Sequence, residues 1–468
     1  MTAASQTGPA QTGGFLERRF RLTERRTTLR TELLGGVATF LTMSYILFVN
    51  PAILSAAGMP FHAVAVATAI AACVATLAMG LVTNLPFALA PGLGINAVVA
   101  FDIVLGRGLE WPVAMAIIVI EGLIALVLVI AGLREAIMRA VPLGLKLAIG
   151  VGIGLFITLV GLREGGIVVN NPATGIGLGD LTSGPALVAL AGIFIGAVLI
   201  ARGVKGAVIL GVLAATVLGL IFGVLDGPDG VVEAPGSDGF STIGDALDPE
   251  WLGDALAVSL IPVIFALFMT DFFDTIGTAV AVGRAGGLLN DEGRLPRADR
   301  LLLVDSGAAA LGGAFGTSSV TTYVESGAGV AEGARTGLAS LVTAGWFVLA
   351  MFFVPIIALV GQGVAFGGED TFIHPAIAPA LVMVGALMIR IVADIDWVRP
   401  EDALPAFLVI AGIPLTFSIA AGIGLGVLSY VLIMPAVGRA RDVHPLMWLV
   451  ALLFVGFFTA DWLSANVF

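Results

Sequence analysis

Two aspartates, Asp271 and Asp274, stand inside the apolar run "ALAVSLIPVIFALFMTDFFDTIGTAVAV". No Lys or Arg is near enough in sequence to pair with them. Three residues apart, they share one face of a helix. If that helix starts near residue 256, Asp271 lies roughly 22 Å along it at about 1.5 Å per residue. That is well inside a bilayer, where a charged side chain costs on the order of 2.5–3.5 kcal/mol on insertion scales. Such a group must face a cavity, a partner or a proton. It can accept hydrogen bonds from a ligand, or cap the backbone of a neighbouring helix. Two acids on one face also repel, and burial disfavours ionisation, so the pair is a candidate to carry a proton.

Glu325 is a third acid of this kind, in "SSVTTYVESGAGV". It opens a short apolar segment, where the positive end of a helix dipole favours a carboxylate. The run before it, including Tyr323 and Val324, is β-branched and aromatic, which reads as extended chain rather than helix. Non-helical backbone at membrane depth is tolerated only where it lines a cavity or is buried in protein, and its polar groups can then read a ligand. The matching place earlier in the chain is "PFALAPGLGINAVVA". There Gly92 and Gly94 permit a tight turn, and Asn96 either hydrogen-bonds a ligand or caps and braces the half-helix. The glycines are no nucleotide fingerprint, because no βαβ context surrounds them. Carboxylates, an amide, exposed backbone and Tyr323, with no buried cation, suit a flat neutral ligand carrying several N–H donors. They suit an anion poorly.

The elements that must position these residues are membrane spans. Of 468 residues 58% are hydrophobic and 12% charged, about half the charged share of an average soluble domain. The apolar residues come in segments near the length that crosses a bilayer. They lie near 33–56, 62–83, 93–106, 111–131, 143–161, 184–201, 204–225, 256–282, 301–315, 325–333, 337–361, 373–392, 402–418 and 420–437, with a further one at 444–464. Segments 93–106 and 325–333 are too short to cross as plain helices, and each is third in its half. Short, Gly-interrupted segments at corresponding positions point to a transporter's binding site.

Charge supplies the orientation. Arg18, Arg19, Arg21, Arg25, Arg26 and Arg30 precede the first segment and place the N-terminus in the cytoplasm. Alternation then puts Arg134, Arg139, Arg202, Lys205, Arg284, Arg294, Arg297, Arg300, Arg335, Arg439 and Arg441 inside. This predicts an all-α polytopic membrane protein with fourteen segments in a 7+7 inverted repeat. Residues 1–31 form a basic tail, 227–253 an acidic extracellular loop, and 443–468 an extra hydrophobic segment. Cys73 is the only cysteine, so no intrachain disulfide or thiolate metal cluster is expected. His62, His374 and His444 show no ligand spacing, and no metal or cofactor is implied. The net charge of −11 is sorted by side of the membrane, and no basic stretch interleaved with aromatics points to nucleic acid.

The stretches "RTELLGGVATFLTMSYILFVNPAILSAAGM", "APGLGINA", "DFFDTIGT" and "GTSSVTTYVESGAGV" resemble the nucleobase:cation symporter-2 family, in particular its azaguanine-resistance branch. The likeness runs from about residue 30 to 465. It implies the uracil-permease-like fold, with segments one to four and eight to eleven as a core domain (32–135 and 254–362). Segments five to seven and twelve to fourteen form a gate domain (140–226 and 372–438). Segments three and ten are each a short strand plus a half-helix. It further implies uptake of the purines guanine, hypoxanthine and adenine at the plasma membrane, with H⁺ as coupling ion, often as a homodimer. By motif, Asp271 matches the eighth-segment acid that holds the base, Glu325 the tenth-segment acid, Tyr323 an aromatic of the site and Asn96 the polar residue of segment three. Where some relatives place a histidine, this chain has Thr275 and Ile276, which leaves Asp274 or Asp271 to carry the proton.

Other classes fit less well. An anion transporter needs an Arg where this chain puts acids. An intramembrane enzyme needs a nucleophile and base, and no His or Lys sits mid-segment to pair with a Ser or Thr. A structural or receptor role has no use for buried acids beside broken helices.

Overall fold

The computed structural model describes residues 14–132, 140–228, 230–290, 295–366 and 372–466. Arg134, Arg139 and Arg294, counted above among the inside loops, and tail residues 1–13 lie outside them. The first half runs α1 (Phe15–Phe20), α2 (Leu29–Met43), α3 (Ile46–Ser55), α4 (Phe61–Thr83), β1 (Leu89–Pro91) and α5 (Leu93–Ala97), the last continued by a π-helical turn, Val98–Val104. Then come α6 (Trp111–Ile130), α7 (Leu143–Glu164), the hairpin β2 (Val168–Asn171) and β3 (Gly175–Leu178), α8 (Gly184–Ala201) and α9 (Ala207–Ile221). The second half runs α10 (Pro249–Ala255), α11 (Ile261–Ala285), α12 (Ala298–Ala314), β4 (Val320–Thr322), α13 (Ser326–Ala331), α14 (Gly337–Ala350) and α15 (Val354–Val360). After the short pair β5 (Val364–Ala365) and β6 (Phe372–Ile373) come α16 (Ala378–Met388), α17 (Pro400–Thr416), α18 (Ile419–Ala436) and α19 (Pro445–Asn466).

Local sequence sets the ends of these elements. Thr28 caps α2 by accepting from the Thr31 N–H, and Asn84 stops α4 in the left-handed conformation at φ +52°. Prolines open α6, α8, α11 and α17, where a missing N–H costs nothing. Among the described residues eight helices are long and apolar enough to cross a membrane. The other segments of the expected fourteen are shorter or interrupted, and the 444–464 segment is one helix whose apolar part spans Pro445–Thr459. The β2–β3 hairpin was not foreseen.

Helices α2, α4, α6, α12 and α14 pack on one another, while α7 packs on α16 and α17, α8 on α9, and α17 on α18. Glycines let the first group close up, since helices in lipid gain from tight backbone approach. A Cβ on Gly122 of α6 would sit 2.3 Å from the Ala310 nitrogen of α12, and one on Gly313 of α12 would sit 2.7 Å from the Met115 carbonyl of α6.

The two halves meet where β1 pairs antiparallel with β4, in the register Leu89↔Thr322, Ala90↔Thr321 and Pro91↔Val320. Two further bonds extend the ladder, from Gly92 N to Ser319 O and from Tyr323 N to Ala88 O, both 2.9 Å. The groups facing away from this ladder need other partners, because no water can serve them at this depth. Thr76 of α4 both donates to the Leu89 carbonyl and accepts its N–H, at 3.0 and 2.9 Å. The Ala88 N–H donates to Ser326 Oγ at 2.9 Å, and Ser340 Oγ bonds the carbonyls of Leu85 and Phe87. On the other strand, Asp305 of α12 accepts from the Thr322 N–H at 2.9 Å and from its hydroxyl at 2.7 Å. Its second oxygen accepts from Thr275 of α11 at 2.6 Å.

Two outcomes follow from this packing. Gly122→Val should lower stability by about 1–3 kcal/mol, through overpacking of α6 against α12; a thermal-melting assay in detergent that shows no loss would contradict the close approach. Asp305→Ala should cost about 2–3 kcal/mol, since it strands a buried N–H and two hydroxyls. Asp305→Asn keeps one acceptor and should lose less than half as much in the same assay; equal losses would show that the brace does not act through these bonds.

Candidate functional site

At the crossing, the chain leaves β4 through Tyr323, Val324 and Glu325 before entering α13. Glu325 makes no side-chain cap to α13. Its Oε1 instead accepts from the Tyr45 hydroxyl at 2.5 Å. Tyr45 sits at the break between α2 and α3, with its ring fully buried, so the hydroxyl is held in place by packing. Asp274, on α11, lies within electrostatic reach of Glu325, and both act on the hydroxyls of Tyr45 and Tyr323. Asp274 is exposed and Glu325 partly so. Val324 is 54% exposed, and a Cβ added at Gly277, one turn beyond Asp274, would touch nothing. The crossing therefore has an approachable side that presents two carboxylates. Neither has a Lys or Arg ion-pair partner among the described residues.

The shared face of α11 divides in the structure. Residues three apart are about 60° apart around a helix, enough to give the two aspartates different surroundings. Asp271 is 2% exposed and lines a narrow cavity with Ala125, Phe268, Phe272, Asp305 and Ser306. It faces the packed side, toward α6 and α12, whereas Asp274 is exposed and lies within electrostatic reach of both Asp305 and Glu325. Tyr323, expected as a stacking aromatic, is 6% exposed, and its hydroxyl donates to the Pro91 carbonyl. That bond ties the end of β4 to the end of β1. Asn96 lies within α5, whose first turn starts at Gly92 with no side-chain cap, so capping is not its role. It is completely buried, and neither its side-chain nitrogen nor its oxygen has a hydrogen-bond partner among the described residues. Thr275 spends its hydroxyl on Asp305, with Thr321 also at 2.9 Å.

Four buried polar residues were missed by the sequence reading. Tyr45 holds Glu325, and Asp305 braces β4. Glu121 of α6 is fully buried near Asp305, and neither oxygen has a hydrogen-bond partner among the described residues. Glu32 of α2 accepts from Arg335 N at 2.8 Å and Thr336 Oγ1 at 2.8 Å, capping α14. For three of them the signal was present: acids inside the apolar stretches "ELLGGVATF", "IIVIEGLIAL" and "LLLVDSGAAAL". Tyr45 carried no such mark beyond being one of only three tyrosines.

Chemically, this arrangement accepts hydrogen bonds. Two carboxylates and strand-end backbone converge on one approachable side. No group of His, Cys, Asp or Glu that could hold a metal occurs among the described residues.

Comparison with known proteins agrees with this picture. The sequence profile described as "Permease family" matches residues 30–425. The guanine/hypoxanthine permease PbuG of Bacillus subtilis is 42% identical over 450 residues, covering 94% of this chain and 98% of that one. The adenine permease AdeP of Escherichia coli is 40% identical, covering 94% and 95%. A putative permease of Methanocaldococcus jannaschii, MJ0326, is 41% identical, covering 94% and 97%. Among solved structures, the transmembrane domain of the cyanobacterial bicarbonate transporter BicA superposes with a TM-score of 0.58 at 16% identity, covering 84% of this chain and 97% of that one. The anion transporter SLC26A9 superposes with a TM-score of 0.60 at 13% identity, covering 87% of this chain and 65% of that one. These structural likenesses concern the fold alone, the uracil-permease-like fold of a multi-pass membrane protein. A profile match over most of the chain, near-full-length relatives above one-third identity and two crossed half-helices together place this chain in the nucleobase:cation symporter-2 family of permeases.

Proposed function

We propose that the chain imports purine nucleobases, guanine, hypoxanthine and adenine, across the plasma membrane by proton symport. The observation that carries this reading is the convergence of Glu325 and Asp274 on one approachable side without a countering cation. A purine ring offers N–H donors along its edges, and a carboxylate takes two adjacent ones. The names of the guanine/hypoxanthine and adenine permeases among its relatives support the same substrate class. An anion would meet two carboxylates, so the likeness of fold to anion transporters does not extend to the cargo.

In this proposal Glu325, oriented by Tyr45, holds one edge of the base and Asp274 the other. Val324 supplies an apolar contact, Tyr323 fixes the strand end, and the buried Asn96 amide supplies a further polar group from the opposite half-helix. Asp271, buried beside Asp305 and away from the approachable side, takes the coupling proton. This exchanges the two aspartates relative to the sequence reading, because Asp274 is exposed within electrostatic reach of Glu325 whereas Asp271 lines the narrow cavity beside Asp305. Residues 32–135 and 254–362 then move as an elevator past 140–226 and 372–438. Neutralising an acid before the move avoids carrying a bare charge through an occluded state.

Radiolabelled uptake in cells lacking their own purine permeases tests the roles. Glu325→Gln and Asp274→Asn should each weaken hypoxanthine binding about ten- to hundredfold, the loss of a hydrogen bond to a charged group. Asp271→Asn should keep competition by unlabelled hypoxanthine within about threefold but lose protonophore-sensitive accumulation. Loss of binding in Asp271→Asn with retention in Asp274→Asn would return the roles to the sequence assignment. Failure of wild-type protein to take up any purine would remove the substrate class. Orientation has its own check. In a chain freed of Cys73, a cysteine replacing Gly236 should react with an impermeant thiol reagent from outside, and one replacing Arg202 should not.

A further inference from the structure

The transport reading leaves unused a group of charges at one end of the molecule. Arg18, Arg19 and Arg21 from the N-terminal segment meet Arg297 and Arg300 from the start of α12. With Leu81, Val82 and Asn84 at the end of α4 they line a pocket of about 360 Å³. Arg25 also lies within electrostatic reach of Arg297. The acids nearby are few. Glu24 is 3.5 Å from Arg21 with both side chains exposed, Glu17 accepts from the Thr23 N–H, and Asp299 is exposed in the first turn of α12. Arg18, Arg19, Arg297 and Arg300 have no carboxylate partner among the described residues.

Capping of α4 accounts for part of this. Arg19 donates to the Leu81 carbonyl, and Arg297 Nη1 donates to the Thr83 carbonyl at 2.8 Å. Those bonds use one N–H of each guanidinium and leave most of its five donors for something else. Capping does not account for Arg18, Arg21 or Arg300. Their charges are held together at a cost: partial burial, and then the positive charges of Arg25, Arg300 and Arg21, pull the Arg297 guanidinium below the usual arginine range. Such a cluster is relieved by a ligand with several anionic oxygens, and the guanidinium fork matches phosphate oxygens in pairs.

The rim tells which kind of phosphate. Leu81 and Val82, in the wall of the pocket, are 38% and 42% exposed. Phe15 and Leu16, on the same short helix as Arg18 and Arg19, are 72% and 39% exposed. A soluble anion gains nothing from these apolar neighbours. An amphiphile does, with its headgroup among the arginines and its chains along the rim. We propose that this pocket binds the phosphate headgroup of an anionic phospholipid, bridging the N-terminal segment, the end of α4 and the start of α12.

The test is lipid retention by the full chain in neutral detergent, read by native mass spectrometry. Dioleoyl-phosphatidylglycerol is compared with dioleoyl-phosphatidylcholine, and pyrophosphate serves as the soluble competitor. The variant Arg18→Gln/Arg300→Gln removes two guanidiniums that make no side-chain hydrogen bond within the described fold, and it leaves the capping bonds of Arg19 and Arg297 to α4 in place. Phosphatidylglycerol should be retained at least tenfold over phosphatidylcholine by the wild type, and the double variant should lose most of that preference. Equal retention of the two lipids, or undiminished preference in the variant, overturns the proposal. So does tight pyrophosphate binding without lipid preference, which would make the pocket a site for a soluble phosphate.

Discussion

A polypeptide that abandons helix inside a bilayer must find a partner for every exposed N–H and C=O, and the structure is arranged around meeting that demand at one place. Strands β1 and β4 pair with each other across the two halves of the chain. Groups of these strands and of the extended run leading into β1 are taken by Thr76, Ser326, Ser340 and Asp305, residues from four different elements. Each strand alone would be intolerable at this depth, and each becomes stable only through the other. The crossing therefore couples the first half of the fold to the second. The helices α4, α11, α12 and α14 that supply or surround these side chains are held in register by it.

Close packing is the second consequence. Side chains as short as Ser and Thr reach the strands only if the helices carrying them lie near. Glycines at Gly122 and Gly313 bring α6 and α12 almost backbone to backbone. Glu32 adds a different kind of tie, a buried carboxylate that accepts four hydrogen bonds from the start of α14. Such an acid is stabilising there because the helix N-terminus offers both free donors and a favourable dipole.

Function grows from what the crossing leaves uncommitted. Asp305 and Tyr323 are consumed by the scaffold, while Glu325 and Asp274 remain approachable. The acids around the crossing thus divide: Asp305 and Glu32 brace backbone, Glu325 and Asp274 face the approachable side, and Asp271 is buried beside Asp305. A binding site for a base with N–H donors and a buried acid beside it for a proton are both consistent with that division, and the proposed transport uses each for a different task.

The sequence by itself determined the class of molecule and much of its plan. Segment lengths and charge sparsity follow directly from the bilayer's thickness and dielectric, so they can be counted without a fold. The two short segments were marked by glycine, proline and β-branched residues, and Glu325 by its position behind one of them. What the sequence left open was which way each polar side chain turns. Asp271 and Asp274 are equivalent by spacing, and only the packing of α6 and α12 against one flank of α11 separates them. Asn96 read equally as a cap or a ligand, until the start of α5 at Gly92 left it inside the helix. Asp305, Glu121 and Glu32 carried the same warning as Asp271, an acid among apolar residues. Their roles depend on partners up to some three hundred residues away, such as Thr336 for Glu32. Spacing reports neighbours on one helix, whereas hydrogen bonds across a crossing are made between helices, and only the tertiary structure brings those together.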